Sequence, residues 1–198
     1  MVNKLPSEME CPADRLLLAF IDTHLTKYYE MGFTPNQITT LSLICGCLAT
    51  YAIYRRHYEW GAVLYALAYY FDCVDGKLAR QYGMVTLFGD YYDHFSDVFK
   101  LVIVLGALYH NRNLPISAIQ DGFKTIVIFF TIMVGLHLGY QERVYAKTGE
   151  TNTLDLLTYM TNHDSLPEET IHFTKYFGNG TFTLVVFLGI IMWRHFKK

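Results

Sequence analysis

The sequence has few charged residues and no run of basic ones. Only 17% of its 198 residues are charged, compared with roughly 25% in an average soluble protein. The formal net charge is −2, and a chain without a cluster of Lys and Arg lacks the electrostatic footprint of a polyanion binder. The composition therefore argues against a soluble domain, and nucleic acid is not a predicted partner.

Two further absences restrict the environment of the chain. Its first 15 residues lack a basic stretch followed by an apolar one, so we expect no cleaved signal peptide. The four cysteines include no C-x2-C pair, and three lie in apolar segments, where a free thiol behaves as a small hydrophobic group. We expect all four to be reduced and structural: Cys11, Cys45, Cys47 and Cys73.

Long apolar blocks dominate the rest of the chain, and hydrophobic residues make up 52% of it. About 20 apolar residues suffice to cross ~30 Å of hydrocarbon. The predicted fold class is all-α, a polytopic transmembrane helix bundle of five or six spans, with spans near residues 37–54, 60–74, 88–109, 116–140 and 181–193. A sixth crossing within residues 150–175 would return the C-terminus to the cytosol, but these residues are polar, which disfavours it. The number of spans and the side of the C-terminus stay open.

The segment before the first span has a different pattern. Residues 12–31 contain too many charges to cross a bilayer, but their apolar side chains can share one face, which predicts an interfacial amphipathic helix. Thr34 and Pro35 then form a typical helix start, with Thr34 as the cap. We expect one domain over residues 1–198, with the transmembrane bundle over residues 35–198.

Carboxylates are concentrated between residues 72 and 97, inside two otherwise apolar segments. Ionisable residues at membrane depth are costly and usually mark a functional site. If the two helices pack antiparallel about a turn at residues 82–84, the carboxylates converge, because helical spacing places those of each helix on one face. The stripe on the first helix comprises Asp72, Asp75, Gly76 and Ala79, and Asp93 and Asp97 lie one turn apart on the next.

Converging carboxylates repel each other, and divalent cations relieve that repulsion. Oxygen ligands favour hard ions such as Mg²⁺, Mn²⁺ or Ca²⁺, and two such ions would balance four carboxylates. Paired metal ions suit phosphoryl displacement, in which Arg80 could hold a phosphate by a bidentate contact. Lys100, one turn past Asp97, could neutralise a carboxylate or bind a phosphate. The residues thus predict metal-assisted chemistry on a phosphorylated substrate.

The pattern D-x2-D-G-x2-A-R-x8-G-x3-D-x3-D resembles the signature of the CDP-alcohol phosphotransferase family (CDP-alcohol phosphatidyltransferases). The resemblance implies a membrane enzyme of phospholipid synthesis that cleaves a CDP-alcohol, transfers its substituted phosphate to an acceptor alcohol and releases CMP. It also implies two Mg²⁺ or Mn²⁺ ions, a homodimer, and an active site that faces the cytosol. The expected location is an endoplasmic reticulum-type membrane in a eukaryote, or the inner membrane in a bacterium.

The resemblance also assigns roles to individual residues. It implies that Asp72, Asp75 and Asp93 hold one metal ion, and that Asp97 joins at the second and acts as the catalytic base. CDP-binding positions fall at Gly76, Ala79, Arg80 and Gly89.

The donor and acceptor remain open at this point. The stretch Gly89-Asp90-Tyr91-Tyr92-Asp93-His94 resembles that of choline/ethanolamine phosphotransferases, which would add Asp90 and His94 to the acid–base machinery. The short chain is closer in size to enzymes that use CDP-diacylglycerol with inositol, serine or glycerol phosphate. The main rival function is a divalent-cation carrier or channel lined by carboxylates, although Arg80 would repel its cation. A scaffold that uses the aspartates only to lock helices together explains less.

Overall fold

The computed structural model describes residues 5–6, 8–111, 117–145, 155–162 and 167–194. Within these residues every regular element is helical, which confirms the predicted all-α bundle. A short 3₁₀ helix, Lys175–Phe177, joins the last two α-helices. The α-helices are α1 (Pro12–Asp22), α2 (Leu25–Glu30), α3 (Pro35–Tyr54), α4 (Tyr58–Gln81), α5 (Leu87–His110), α6 (Ser117–Tyr145), α7 (Asp155–Thr161), α8 (Pro167–Thr174) and α9 (Asn179–Trp193).

Three helical segments are long and apolar enough to cross a membrane. They are Pro35–Tyr54, Asp121–Tyr145 and the continuous run Pro167–Trp193, which includes α8 and α9. Two of the five predicted spans fall outside this set, although α4 and α5 have 24 residues each. Charged side chains lower the mean hydropathy of both, since these helices carry the aspartate motif. The number of spans therefore stays a prediction.

Helix α3 is the common packing partner of α4 and α5. It packs along both of them, whereas α4 and α5 have few Cα atoms close to each other. The backbones of α4 and α5 thus lie closer to α3 than to each other, and the two helices meet through side chains such as Asp72 and Lys100. The reason is that α3 buries a face of small residues, which allows close approach of neighbouring helices: Ser42, Gly46, Ala49 and Ala52.

Local signals set the ends of these helices as expected. Thr34 caps α3 in a reciprocal capping box with Gln37. A turn between α4 and α5 is confirmed, with Gly83 at φ +65°, a conformation that glycine adopts without strain. Thr86 then caps α5 by accepting a hydrogen bond from the Gly89 amide at 3.0 Å.

The single amphipathic helix predicted over residues 12–31 is instead two helices, α1 and α2. The break falls at Thr23 and His24. The Thr23 hydroxyl donates to the Phe20 carbonyl at 2.7 Å, and a ring nitrogen of His24 bonds the Tyr70 hydroxyl of α4 at 2.5 Å. Thr23 keeps helical backbone angles, and the chain leaves the helix at His24, where φ is −138°. Whether α1 and α2 lie at a membrane surface stays a prediction.

Buried polar contacts hold α1 against α4 and α9. The Lys77 ammonium of α4 is 1% exposed; it pairs with Asp22 at 2.5 Å and donates to the Leu18 carbonyl at 3.0 Å. Asp14 accepts from the Tyr69 hydroxyl and from the Gly180 amide at the start of α9. Burial raises the pKa of Asp14 above its ordinary value. Helix α1 is thus fixed at the end of the bundle where α4 ends and α9 begins.

Two short helices precede α9 in the C-terminal part of the described chain. Helices α7 and α8 have 7 and 8 residues, too short to cross a bilayer alone, and both pack on α6. The turn predicted at residues 162–164 includes two residues outside the described ranges. At the end of α9, Arg194 pairs with Glu59 in the first turn of α4 at 2.5 Å. The last turn of α9 therefore lies at the opposite end of the bundle from α1.

We expect Asp22→Ala to lower the thermal unfolding midpoint in detergent, because it leaves the Lys77 ammonium buried without its carboxylate. The cost should fall below the roughly 3–5 kcal/mol of a fully buried pair, since Asp22 is 20% exposed. Lys77→Met removes the buried charge itself and should cost less. Glu59→Ala, which breaks the exposed pair with Arg194, is the control and should change the midpoint little. Equal midpoints for Asp22→Ala and Glu59→Ala would contradict this account.

Candidate active site

Three aspartates from α4 and α5 form the centre of the site. Asp72 of α4 and Asp93 and Asp97 of α5 each offer a carboxylate oxygen, and these oxygens lie within 4.8 Å of one another. Like charges at this separation repel strongly unless a cation lies among them. We call these three residues the aspartate trio. Their helical spacing in the sequence predicted this convergence.

Asp75 does not belong to the aspartate trio. Its side chain is buried, and its Oδ2 accepts a hydrogen bond of 2.6 Å from the Thr39 hydroxyl of α3. The oxygens that lie closest together are those of Asp72, Asp93 and Asp97, and the grouping of Asp72, Asp75 and Asp93 around one ion stays a prediction. Helix α3 lies against α4 and holds Asp75 on its own side.

The Lys100 ammonium is a positive charge that pairs with two members of the aspartate trio. It donates to Asp72 Oδ1 at 2.8 Å and to Asp97 Oδ1 at 2.9 Å. A third hydrogen bond, of 2.6 Å, reaches the Ser42 hydroxyl of α3. The predicted neutralising role of Lys100 is confirmed, and the alternative role in phosphate binding has no support from these contacts.

One oxygen of the aspartate trio has no partner. Asp93 Oδ1 is buried and accepts no hydrogen bond from any described residue. A buried carboxylate oxygen without a donor is costly, and a metal ion would satisfy it. The donor set consists entirely of carboxylate oxygens, which fits Mg²⁺ or Mn²⁺. The residues present therefore fit a divalent cation.

Arg80 lies on α4, one helical turn beyond Gly76. A Cβ on Gly76 would lie 3.2 Å from Arg80 Nη1, so the absence of a side chain leaves room for the guanidinium. Arg80 interacts electrostatically with Asp75 and Asp93, and its buried Nε has no hydrogen-bond partner among the described residues. Ala79 lies beside it, partly buried. Arg80 thus presents a donor beside the acidic cluster, as a phosphate-binding residue requires.

The remaining predicted site residues lie near the start of α5. A Cβ on Gly89 would come within 2.9 Å of Asn36 Oδ1 of α3, so glycine permits close contact between the two helix starts. His94 Nδ1 donates to the Asp90 carbonyl at 2.8 Å and lies 3.6 Å from Asp90 Oδ1. Neither Asp90 nor His94 belongs to the aspartate trio. Nucleotide contact by Gly89 and acid–base roles for Asp90 and His94 stay predictions.

Sequence reasoning missed the contribution of α3. The sequence alone assigns no role beside the aspartates to Thr39, Ser42 or Gly46. The three residues are spaced i, i+3 and i+7, which places them on one helix face. A stripe of small and hydroxyl residues in an apolar helix is the signal that would have indicated a polar partner helix.

Thr39→Val should weaken divalent-ion binding, because it removes the donor that orients the buried Asp75. Loss of a group that orients a metal ligand typically costs about 10–100-fold in metal affinity. Mn²⁺ binding, measured by electron paramagnetic resonance on the purified protein, checks this, and Thr39→Ser should restore the affinity. An unchanged affinity in Thr39→Val would refute the positioning role.

Comparison with known proteins agrees with this geometry. Residues 33–195 match the sequence model of the CDP-alcohol phosphatidyltransferase family. An archaetidylinositol phosphate synthase of Pyrococcus horikoshii is 34% identical over 97 residues, which cover 49% of this chain. The match spans about half of that relative, 47% of its length. No solved structure matches the chain. Since the family match extends over most of the sequence and contains the whole aspartate motif, the chain belongs to the CDP-alcohol phosphatidyltransferase family.

Proposed function

We propose that the chain is a metal-dependent transferase of phospholipid synthesis. It moves a substituted phosphate from a CDP-alcohol to an acceptor alcohol and releases CMP. The observation that carries this proposal is the convergence of Asp72, Asp93 and Asp97 beside Arg80, within a chain that belongs to this family. The site combines oxygen ligands for a divalent cation with a guanidinium for a phosphate.

The aspartates hold Mg²⁺ or Mn²⁺ in this proposal. Asp72, Asp93 and Asp97 are the nearest set of ligands, and Asp75, held by Thr39, is the fourth candidate. When bound, the ion supplies Lewis-acid polarisation of a phosphoryl oxygen. The aspartates also repel the negatively charged diphosphate of a donor until their own charge is balanced.

Arg80 binds the diphosphate of the donor. Its guanidinium is planar and offers paired donors, which match two phosphate oxygens. Its Nε has no hydrogen-bond partner among the described residues, and the lack of a side chain at Gly76 leaves room for the guanidinium. Ala79 and Gly89 keep the neighbouring surfaces small for the rest of the CDP group.

Asp97 acts as the base. The oxygen of the acceptor alcohol attacks the phosphorus that carries the donor's alcohol, and the bond from that phosphorus to the CMP oxygen breaks. CMP leaves with the electron pair, and the acceptor proton passes to a carboxylate oxygen of Asp97. With its side chain 39% exposed, Asp97 is more open than Asp72, at 14%, so an acceptor can reach it. Asp90 and His94 are candidates to carry the proton onward.

Two branches of the family differ in the donor and the acceptor that they use. The Gly-Asp-x-x-Asp-His stretch favours CDP-choline or CDP-ethanolamine with a lipid alcohol. The Pyrococcus relative is named for the synthesis of archaetidylinositol phosphate, and this favours the branch in which the lipid is attached to CDP and a polar alcohol accepts it. Both branches use the same bond cleavage, so the proposal holds for either.

The proposal extends to the membrane that holds the protein and to the side that its site faces. Lys77, Arg80 and Arg143 lie at the site end of helices α4 and α6, which favours a cytosolic site by the positive-inside rule. We propose one domain over residues 1–198 in an endoplasmic reticulum-type or bacterial inner membrane. A homodimer is proposed from the family alone.

The main alternative to a transferase is a cation carrier, and the charges of the site bear on this choice. Lys100 and Arg80 both place positive charge in the acidic cluster. Fixed cations at these positions would oppose the passage of Mg²⁺ or Ca²⁺, so the geometry favours catalysis over transport.

The proposal is tested by incubating the purified protein with Mg²⁺ or Mn²⁺ and a panel of CDP-alcohols and acceptors. CDP-choline, CDP-ethanolamine and CDP-diacylglycerol serve as donors, and diacylglycerol, inositol phosphate, glycerol phosphate and serine as acceptors. We expect CMP release with one pairing, loss of release in EDTA, and a lipid product identified by mass spectrometry. Cation flux into vesicles with no CMP release from any pairing would overturn the proposal.

Asp97→Asn should abolish CMP release while the protein stays folded, because the amide cannot take the acceptor proton. A general base typically contributes about 10²–10⁴-fold, so the residual rate should lie near the detection limit. The matched control is Asp121→Asn on α6, an exposed carboxylate remote from the aspartate trio. Turnover of Asp97→Asn at the wild-type rate would show that Asp97 is not the base.

A further inference from the structure

The ammonium of Lys100 lies between two carboxylates of the aspartate trio. It is 2.8 Å from Asp72 Oδ1 and 2.9 Å from Asp97 Oδ1, so it bridges carboxylates of α4 and α5. Two ions were expected from the charge of four carboxylates and from the family resemblance. Lys100 occupies part of the space and coordination that the second ion would need.

The Lys100 side chain is built into the bundle rather than laid on its surface. It is 5% exposed, whereas most lysines near membranes extend their ammonium toward water. Ser42 Oγ accepts from the ammonium at 2.6 Å and donates to the Ala68 carbonyl of α4 at 2.8 Å. All three donors of the ammonium thus have an oxygen partner drawn from α3, α4 or α5.

Gly46 of α3 makes room for the aliphatic part of Lys100. A Cβ at Gly46 would lie 2.6 Å from Lys100 Cγ, closer than packed carbon atoms approach. The stem therefore fits in a channel along α3 that leaves little freedom for other rotamers. Moving the ammonium away from the trio would bury an unpaired charge among apolar residues, which is strongly unfavourable.

The charges of the site lead to the same conclusion. With all four aspartates ionised, as metal ligands are, the site carries four negative charges, and Lys100 and Arg80 contribute two positive ones. The remaining double negative charge is balanced by a single divalent ion. A second divalent ion would give the site a net positive charge while Lys100 stays in place.

We infer that Lys100 replaces one of two divalent ions, so that this chain binds one Mg²⁺ or Mn²⁺ at the aspartate trio. This inference rests on the proposed function for the presence of a metal ion, and it adds how many ions the site holds and why. Lys100 acts as a positioning residue: it holds Asp72 and Asp97 in place and fixes the charge of the site.

The test counts bound Mn²⁺ per chain by electron paramagnetic resonance and isothermal titration calorimetry in detergent. Wild-type protein should bind one ion, and Lys100→Ala, which opens both space and charge, should bind two. Lys124→Ala, which removes an exposed lysine of α6, is the matched control and should bind one. If Lys100→Ala does not fold, Lys100→Gln removes the charge while it keeps most of the stem.

Each outcome decides the inference. Two ions in wild-type protein, no ion in wild-type protein, or one ion in both wild-type protein and the folded Lys100 variant would overturn it. The proposed function fails separately: two ions together with CMP release leave the transferase proposal intact, whereas one ion without CMP release from any donor overturns that proposal alone.

Discussion

Electrostatic repulsion among carboxylates held away from water is the constraint on which the site depends. Asp72, Asp93 and Asp97 converge, and Asp75 lies buried nearby. Such a cluster is stable only if each carboxylate has a donor or a cation, because the desolvation cost of an unpaired charge is large. Thr39, Lys100 and Arg80 supply part of that compensation from three different helices. The arrangement of α3, α4 and α5 is the one that brings these groups together.

The apolar faces of the same helices are suited to contact with the membrane interior. The three long apolar segments, together with the family to which the chain belongs, make it an integral membrane protein. The core around Ile53, Tyr65 and Val104 lies between α3, α4, α5 and α9, and many large apolar side chains remain exposed on the outer helix faces. Such faces suit hydrocarbon rather than water. Polar chemistry is thereby confined to one end of the bundle.

Features encoded within one helix could be predicted from the sequence. The caps at Thr34, the turn at Gly83 and the helical stripe of aspartates depend on local spacing, and each was predicted. Features that depend on the partner helix could not. Periodicity places Asp75 and Asp72 on related faces of α4, but only the position of α3 decides that Asp75 bonds Thr39. The break between α1 and α2 depends in the same way on a contact with Tyr70.

The ion pair between Arg194 and Glu59 has a consequence for the topology of the chain. It places the end of α9 beside the start of α4, while the ion pair between Asp22 and Lys77 places α1 beside the second half of α4. The N-terminal helices and the last turn of α9 therefore lie at opposite ends of the bundle. If the bundle axis follows the membrane normal, the chain between them crosses the bilayer an odd number of times.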